Sequence, residues 1–241
     1  MKICIIGNSH VGALKNAWQT SLHQIKEKGV AITFFAARGS SLKDLEYKDG
    51  ILTAKTDKLK EMLSFTSGGE SFIDLNTYDV LLMYGLNTKP YFPREIFYSK
   101  AVTDDSLEDY YSDSLALKIL KMIPSGLVRE IYIGHNPMRA ENSRANRQPV
   151  KCANDDYDRG ISLVNDRIFQ PHGATLLKQP LQTIAENGKN TMSIYSIGSR
   201  RLEIGAINDA ESHPKTDRGH MNESYGEAWL NHFLLHVEKN R

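Results

Sequence analysis

Cysteine, net charge and long apolar runs are all scarce in this chain, and each shortage removes a class of protein. Its two cysteines, Cys4 and Cys152, lie far apart, one in an apolar run and one in a polar stretch. They supply neither a disulfide framework nor a zinc knuckle and read as reduced thiols. Thirty basic side chains against twenty-nine acidic ones leave a net charge of +1. Nothing global therefore points to nucleic acid or to an anionic membrane, and any anion must be bound locally. The first apolar run, Ile3-Cys4-Ile5-Ile6, stops at Gly7, too short for a signal peptide or a membrane span; a cytoplasmic location is the expectation. No internal repeat, low-complexity tract or interdomain linker is evident. What is present, 241 residues that are 40% hydrophobic and 24% charged, fits one domain over residues 1–241 with a sizeable core.

Strand and helix signals alternate along the chain. After the first strand, Val11, Leu14, Trp18, Leu22 and Ile25 recur at helical spacing and stop near Lys28-Gly29. Ala31 to Ala36 reads as a second strand, Tyr78 to Gly85 as a third, Val128 to Gly134 as a fourth and Ala174 to Leu177 as a fifth. Between them the pattern predicts a hairpin around Lys48-Asp49-Gly50 and a short helix over 57–65 with Leu59, Met62 and Leu63 inward. Further helices carry Leu115 to Ile123 and Tyr157, Ile161, Val164 and Ile168. The acidic stretch from Asp104 to Asp113 reads as a solvated face or helix start, and Pro90 to Tyr98 as a loop. Ser193–Ile197 and Arg201–Ile204 alternate as a hairpin would, and a final helix from about Asn222 points Tyr225, Trp229, Phe233 and Val237 inward. Strands separated by helices imply an α/β fold with a doubly wound parallel sheet.

Two short segments carry chemistry. Ser9 falls in the tight turn between the first strand and the first helix, where a serine is lifted above the sheet edge with its own N–H unpaired. It can be a nucleophile there, or simply the helix cap. Asp217 stands three residues before His220, just ahead of the last helix. In a turn its carboxylate can fold back onto the imidazole, fix the tautomer and leave the other ring nitrogen as a general base. The competing reading is a helix entry in which Asp217 satisfies local N–H groups and His220 is a surface residue.

Gly7-Asn8-Ser9-His10, Gly39 after the second strand, Gly85-x-Asn87 after the third, and Asp217-x-x-His220 before the last helix occur in that order. Together they resemble the SGNH hydrolase superfamily, also called GDSL lipases and esterases. The resemblance implies a flavodoxin-like three-layer α/β/α sandwich with a five-stranded parallel sheet. It also implies Ser9 as nucleophile, His220 as base, Asp217 orienting it, and an oxyanion hole from the N–H groups of Ser9 and Gly39 and the amide of Asn87. No cofactor and no metal are expected. Asn8 replaces the commoner aspartate and His10 a leucine. The form Gly-Asn-Ser-His resembles bacterial members that add or remove O-acyl groups on carbohydrates, and no large apolar lid argues for a lipase. A residue beside the nucleophile at a helix start tends to point away from it, so His10 is expected to pack or to edge the substrate.

His232 and His236 stand one helical turn apart, with no carboxylate or cysteine spaced to complete a metal site. His135 follows the fourth strand, where it lines a pocket or caps a loop. Beyond it Arg139, Arg144, Arg147 and Lys151 face one acid, Glu141, and select an anionic substrate or form a solvated loop. The expected activity is removal of an acyl group, first of all acetyl, from a glycan or other small hydroxyl compound, with no nucleic-acid or membrane partner. The rivals are an O-acetyltransferase using the same residues and a non-catalytic glycan-binding protein on the same fold.

Overall fold

Side-chain alternation decides which layer each strand residue joins, and it sorts the core of this chain into two. The computed structural model describes all residues except 23–28, 94–98, 143–154, 208, 210 and 241. Strand β1 (Lys2–Gly7) sends Cys4 and Ile6 to one apolar layer and Ile3 and Ile5 to the other. It is followed by α1 (Val11–Thr20), β2 (Ala31–Ala36), a hairpin of β3 (Leu45–Lys48) and β4 (Ile51–Ala54), α2 (Asp57–Ser67) and β5 (Phe72–Asp74). Then come β6 (Val80–Tyr84), α3 (Lys100–Tyr111), α4 (Leu115–Met122), β7 (Glu130–Gly134), α5 (Asp155–Val164), β8 (Ala174–Leu177) and α6 (Glu223–Lys239).

The central sheet has five parallel strands in the order β2-β1-β6-β7-β8. Helices α1 and α6 supply the layer that covers Ile3, Ile5, Leu82 and Tyr84. Helices α2 to α5 cover Cys4, Ile6, Leu81 and Met83 on the opposite face. This is the α/β arrangement read from the sequence, a parallel sheet with helices on both sides. The strands also end together: Gly7 lies opposite Ala36 and Tyr84, Tyr84 opposite Gly134, and Gly134 opposite Leu177. The turns that leave β1, β2 and β6 therefore rise from one edge, the carboxyl edge where open α/β sheets place ligands.

Several local expectations need revision. The hairpin at 44–56 forms, turning through Asp49 and Gly50, both at positive φ as a two-residue turn requires. It gains a third strand, the three-residue β5, which is too short to leave a pattern. The acidic stretch from Asp104 does present a solvated face, with Asp105, Glu108 and Asp109 exposed, but on a helix that the pattern does not predict. It belongs to α3, whose Leu107 and Tyr111 are buried. No hairpin joins 193–197 to 201–204; a 3₁₀ turn covers Ser193–Tyr195, and Ile194 and Ile197 are 61% and 66% exposed, so their alternation reports no sheet face. At the β8 edge, buried Asn165 donates to Leu176 O at 3.0 Å and accepts from Leu176 N at 2.6 Å, closing backbone groups that an edge strand leaves open. Ile25 and the end of the first helical stripe lie outside the described residues, as does most of the Pro90–Tyr98 segment. No helix among the described residues is long and apolar enough to cross a membrane.

Candidate active site

The turn after β1 is built by Gly7 and Asn8. A Cβ on Gly7 would collide with Val11 and with the Tyr84 carbonyl, so only glycine lets β1 pass so close to β6. Asn8 is buried and its Oδ1 accepts the His10 N–H at 3.2 Å, while its carbonyl accepts from Val11 N at 3.0 Å. This is the turn-forming use of an asparagine side chain. The residue at the helix N-cap is His10, with no side-chain capping bond. The Ser9 hydroxyl is therefore not spent on the helix. Its Oγ lies 3.0 Å from His220 Nε2.

His220 is placed by the turn that precedes α6. Asp217 Oδ1 accepts the backbone N–H of Gly219 at 2.7 Å and of His220 at 3.1 Å, which folds the carboxylate back over the turn. Its Oδ2 then lies 2.9 Å from His220 Nδ1. Burial pushes the Asp217 carboxyl up, but the hydrogen bonds from the His220 ring and from the Gly219 and His220 N–H groups outweigh it and hold its pKa at about 2. An ionised carboxylate only accepts, so His220 Nδ1 carries the proton and Nε2 is left to accept from the Ser9 O–H. Asn222 caps α6 through the Tyr225 N–H at 3.2 Å.

Two further histidines, of which His213 carries no sequence signal, stack against His220. The His213 ring lies 3.9 Å away, centroid to centroid, and inclined by 8°; the His10 ring lies 5.0 Å away and inclined by 28°. His10 thus packs, one of the two roles expected of it, with its ring on that of His220. Burial, then the His220 charge, lowers the His10 pKa to about 3, and the same causes lower that of His213. Motif reading reaches neither contact, because stacking leaves no spacing rule in the sequence.

The turn after β6 runs Gly85, Leu86 and Asn87 with φ of 77°, 53° and 59°. Three consecutive left-handed residues, one of them a leucine, are costly and must be held from outside. Gly85 N–H donates to Gly134 O at 2.8 Å, Leu86 O accepts from Leu115 N at 2.8 Å, and the Leu86 side chain is buried. The result leaves Asn87 exposed at the turn's tip. Gly39, also at positive φ (64°), is exposed in the turn after β2. Neither the N–H groups of Ser9 and Gly39 nor the Asn87 amide has an intramolecular acceptor among the described residues.

The His135 side chain is turned into the protein. It is 3% exposed, with Nδ1 2.6 Å from Asn136 O and Nε2 2.6 Å from the Tyr157 hydroxyl. Both ring nitrogens are engaged, so the substrate-contact expectation gives way to the loop-capping one. Arg139 is exposed, whereas Arg144, Arg147 and Lys151 lie outside the described residues. Among the described residues, His213, Asp217 and His220 bring three metal-ligating atoms together. The two rings are nearly parallel, however, so their in-plane lone pairs do not converge on one point beside Asp217, as ligation of one ion would require.

Two histidines held neutral, buried His135 and half-buried His10, carry a pH signature. Burial lowers the His135 pKa to about 4 despite the hydrogen bond that its Nδ1 donates to the Asn136 carbonyl, and His10 stands at about 3, against 6.5 for both unperturbed. Folded pKa values below the unfolded one mean stability that is full above pH 6.5 and is lost as pH falls toward 4 and 3. Unfolding at pH 5 is accordingly expected to take up roughly two protons through these two rings and more through His213, His232 and His236, whose pKa values are also lowered, measurable by calorimetry in buffers of different ionisation enthalpy. Zero uptake would contradict the burial of these rings.

No protein-family model matches the chain, and no curated protein matches it in sequence. Among solved structures, the lipopolysaccharide acetyltransferase periplasmic domain of Salmonella ser. Paratyphi A is 15% identical with a TM-score of 0.49, over 98% of this chain and 83% of that one. A gut microbial diltiazem-metabolizing enzyme is 12% identical with a TM-score of 0.32, over 73% of this chain and 36% of that one. A lipase from a goat rumen metagenome is 13% identical with a TM-score of 0.36, over 98% of this chain and 96% of that one.

Proposed function

We propose that the chain is a serine esterase of the SGNH hydrolase type that removes an acyl group, acetyl in the first instance, from a carbohydrate or similar small hydroxyl compound. The observation that carries this reading is the hydrogen-bonded line from Ser9 Oγ through His220 to Asp217, at 3.0 and 2.9 Å. The Gly7-Asn8-Ser9-His10 form supports the carbohydrate class.

In this reading Ser9 Oγ attacks the ester carbonyl carbon and its proton passes to His220 Nε2. Asp217 keeps its negative charge and stabilises the imidazolium. The carbonyl oxygen, now an anion, accepts from the N–H groups of Ser9 and Gly39 and from the Asn87 amide, three donors with no competing internal acceptor among the described residues. Collapse breaks the ester C–O bond, and the leaving alkoxide takes the proton from His220. Water, deprotonated by His220, then releases the acid from Ser9; a sugar hydroxyl in place of water would make the same intermediate a transferase.

The test is to incubate the protein with acetylated mono- and oligosaccharides, with and without unacetylated acceptors, and to follow acetate and acetyl sugar together. Acetate release supports the esterase, acceptor acetylation with little acetate selects the transferase, and neither product from any acyl ester overturns both. Asn87→Ala is expected to lower kcat by roughly 10²- to 10³-fold with KM little changed, because the amide acts on charge that develops only in the transition state. A change confined to KM would move Asn87 to substrate recognition.

A further inference from the structure

The Gly39 N–H stands in a turn that receives no packing at Gly39 itself. Gly39 is exposed, and among the described residues no atom outside its chain neighbours lies within 4 Å of where a Cβ would stand. The residue before it is tied twice. The Arg38 carbonyl accepts from Ser41 Oγ at 3.0 Å, and the Arg38 side chain crosses to a segment 164 residues further on. There Nε and Nη2 donate to Leu202 O at 2.9 and 2.6 Å, and Nη2 donates to Asp209 Oδ1 at 2.7 Å. The far end is itself held. Asp209 Oδ2 accepts the N–H groups of Ile204, Gly205 and Ala206 at 2.8, 2.6 and 2.9 Å, so one carboxylate closes the segment on itself. Leu202 is 2% exposed and lies on the first turn of α1, where a Cβ on Gly12 would stand 3.3 Å from its Cα.

We infer that Arg38 is a positioning residue for the oxyanion hole, a clasp that holds the Gly39 N–H in place against that of Ser9. The inference rests on the esterase reading. The pairing of Ala36 with Gly7 and the bond from Ala37 N to Gly7 O at 3.2 Å bring the two turns side by side, but that pairing stops before Gly39. Beyond it the clasp supplies the cross-link: Arg38 is bound to Leu202, and Leu202 is seated on the helix that follows Ser9. A planar guanidinium reaches Leu202 O and Asp209 Oδ1 together, which a single ammonium point charge does less well. The side chains of the Arg38–Asp209 pair are only 24% and 15% exposed, so water competes with it less than with an open surface pair. Donors in such a hole act only where the oxyanion forms, and a small misplacement carries a large rate penalty.

The experiment compares Arg38→Met, which keeps the apolar stem and loses every side-chain N–H, with Asp209→Asn. In the second variant the asparagine oxygen must stay on the three backbone N–H groups, so its NH₂ meets the guanidinium and the clasp opens at that end. On an aryl acetate, Arg38→Met is expected to lower kcat about 10- to 100-fold with KM nearly unchanged. This is less than the effect of Asn87→Ala, because the Gly39 donor is displaced and not removed. Asp209→Asn is expected to show a smaller loss of the same kind. An arylboronic acid gives the second readout. Its boron bonds to Ser9 Oγ and sets a boronate oxygen where the oxyanion forms, so its inhibition constant should rise by about the factor by which kcat falls. Wild-type kcat in a folded Arg38→Met, a loss lying wholly in KM, or a lowered kcat with unchanged boronate affinity would overturn the inference. If Arg38→Met does not fold, Asp209→Asn decides by the same three results. A wild-type protein that hydrolyses no ester refutes the esterase reading and the clasp with it, whereas an active wild type matched by both variants refutes the clasp alone.

Discussion

Ser9→Ala is expected to lower ester hydrolysis by about 10⁶-fold while leaving the protein as stable as the wild type to within about 1 kcal/mol. The two halves of this expectation come from the same geometry. A serine that capped α1 would cost stability when removed, but the N-cap is His10 and the Ser9 hydroxyl is 3.0 Å from His220 Nε2. Removing the Oγ deletes the hydroxyl that His220 is placed to activate. Turnover on an acetyl ester and thermal unfolding of the same sample check both halves. Near-wild-type turnover would remove Ser9 from the chemistry, and a large fall in stability would return it to a structural role.

Asp217→Asn is expected to lower kcat by about 10⁴-fold through a change of tautomer rather than of shape. The carboxylate accepts three N–H groups, two on Oδ1 and that of the His220 ring on Oδ2. Those on Oδ1 come from the backbone of Gly219 and His220, so the asparagine oxygen must take that side to preserve the turn. Its NH₂ then faces His220 Nδ1, which has to give up its proton and accept. The proton moves to Nε2, where it meets the Ser9 hydroxyl and blocks proton transfer. Asp217→Ala removes the acceptor for both backbone groups as well, and should lose stability in addition to rate. Activity in Asp217→Asn within tenfold of wild type, about 1.4 kcal/mol of barrier, would show that this carboxylate does not set the tautomer.

The sequence exposed those parts of the molecule that local rules govern. Ile3 to Ile6 and Val80 to Tyr84 read as buried strands because both faces of a parallel strand are apolar. Leu14, Trp18, Trp229 and Phe233 read as helix faces because helical spacing aligns them. The Asp217-to-His220 approach was legible for the same reason, since three residues in one turn suffice to close it. What stayed hidden depends on packing between distant segments. His213 stacks on His220 from seven positions away through an irregular loop pinned by its backbone bond to Ser199, and no periodicity marks that contact. Acidic residues masked α3, although Leu107 and Tyr111 anchor it. At 193–204, alternation occurs without a hairpin: the one bridge there among the described residues joins Arg200 to Ser212. His135 was read correctly as standing beyond β7, yet its direction was set by the Tyr157 hydroxyl, a contact across the fold that spacing does not encode.

The central claim is that Ser9 is a nucleophile activated by His220, and covalent capture tests it without knowledge of the natural substrate. The wild-type protein, treated with an aryl phosphonate or sulfonyl fluoride and weighed intact, should gain one adduct. Peptide mapping should place that adduct on Ser9, and His220→Ala should slow its formation severely. A folded protein that takes no adduct, or takes it on a different serine while Ser9 stays free, would contradict the account.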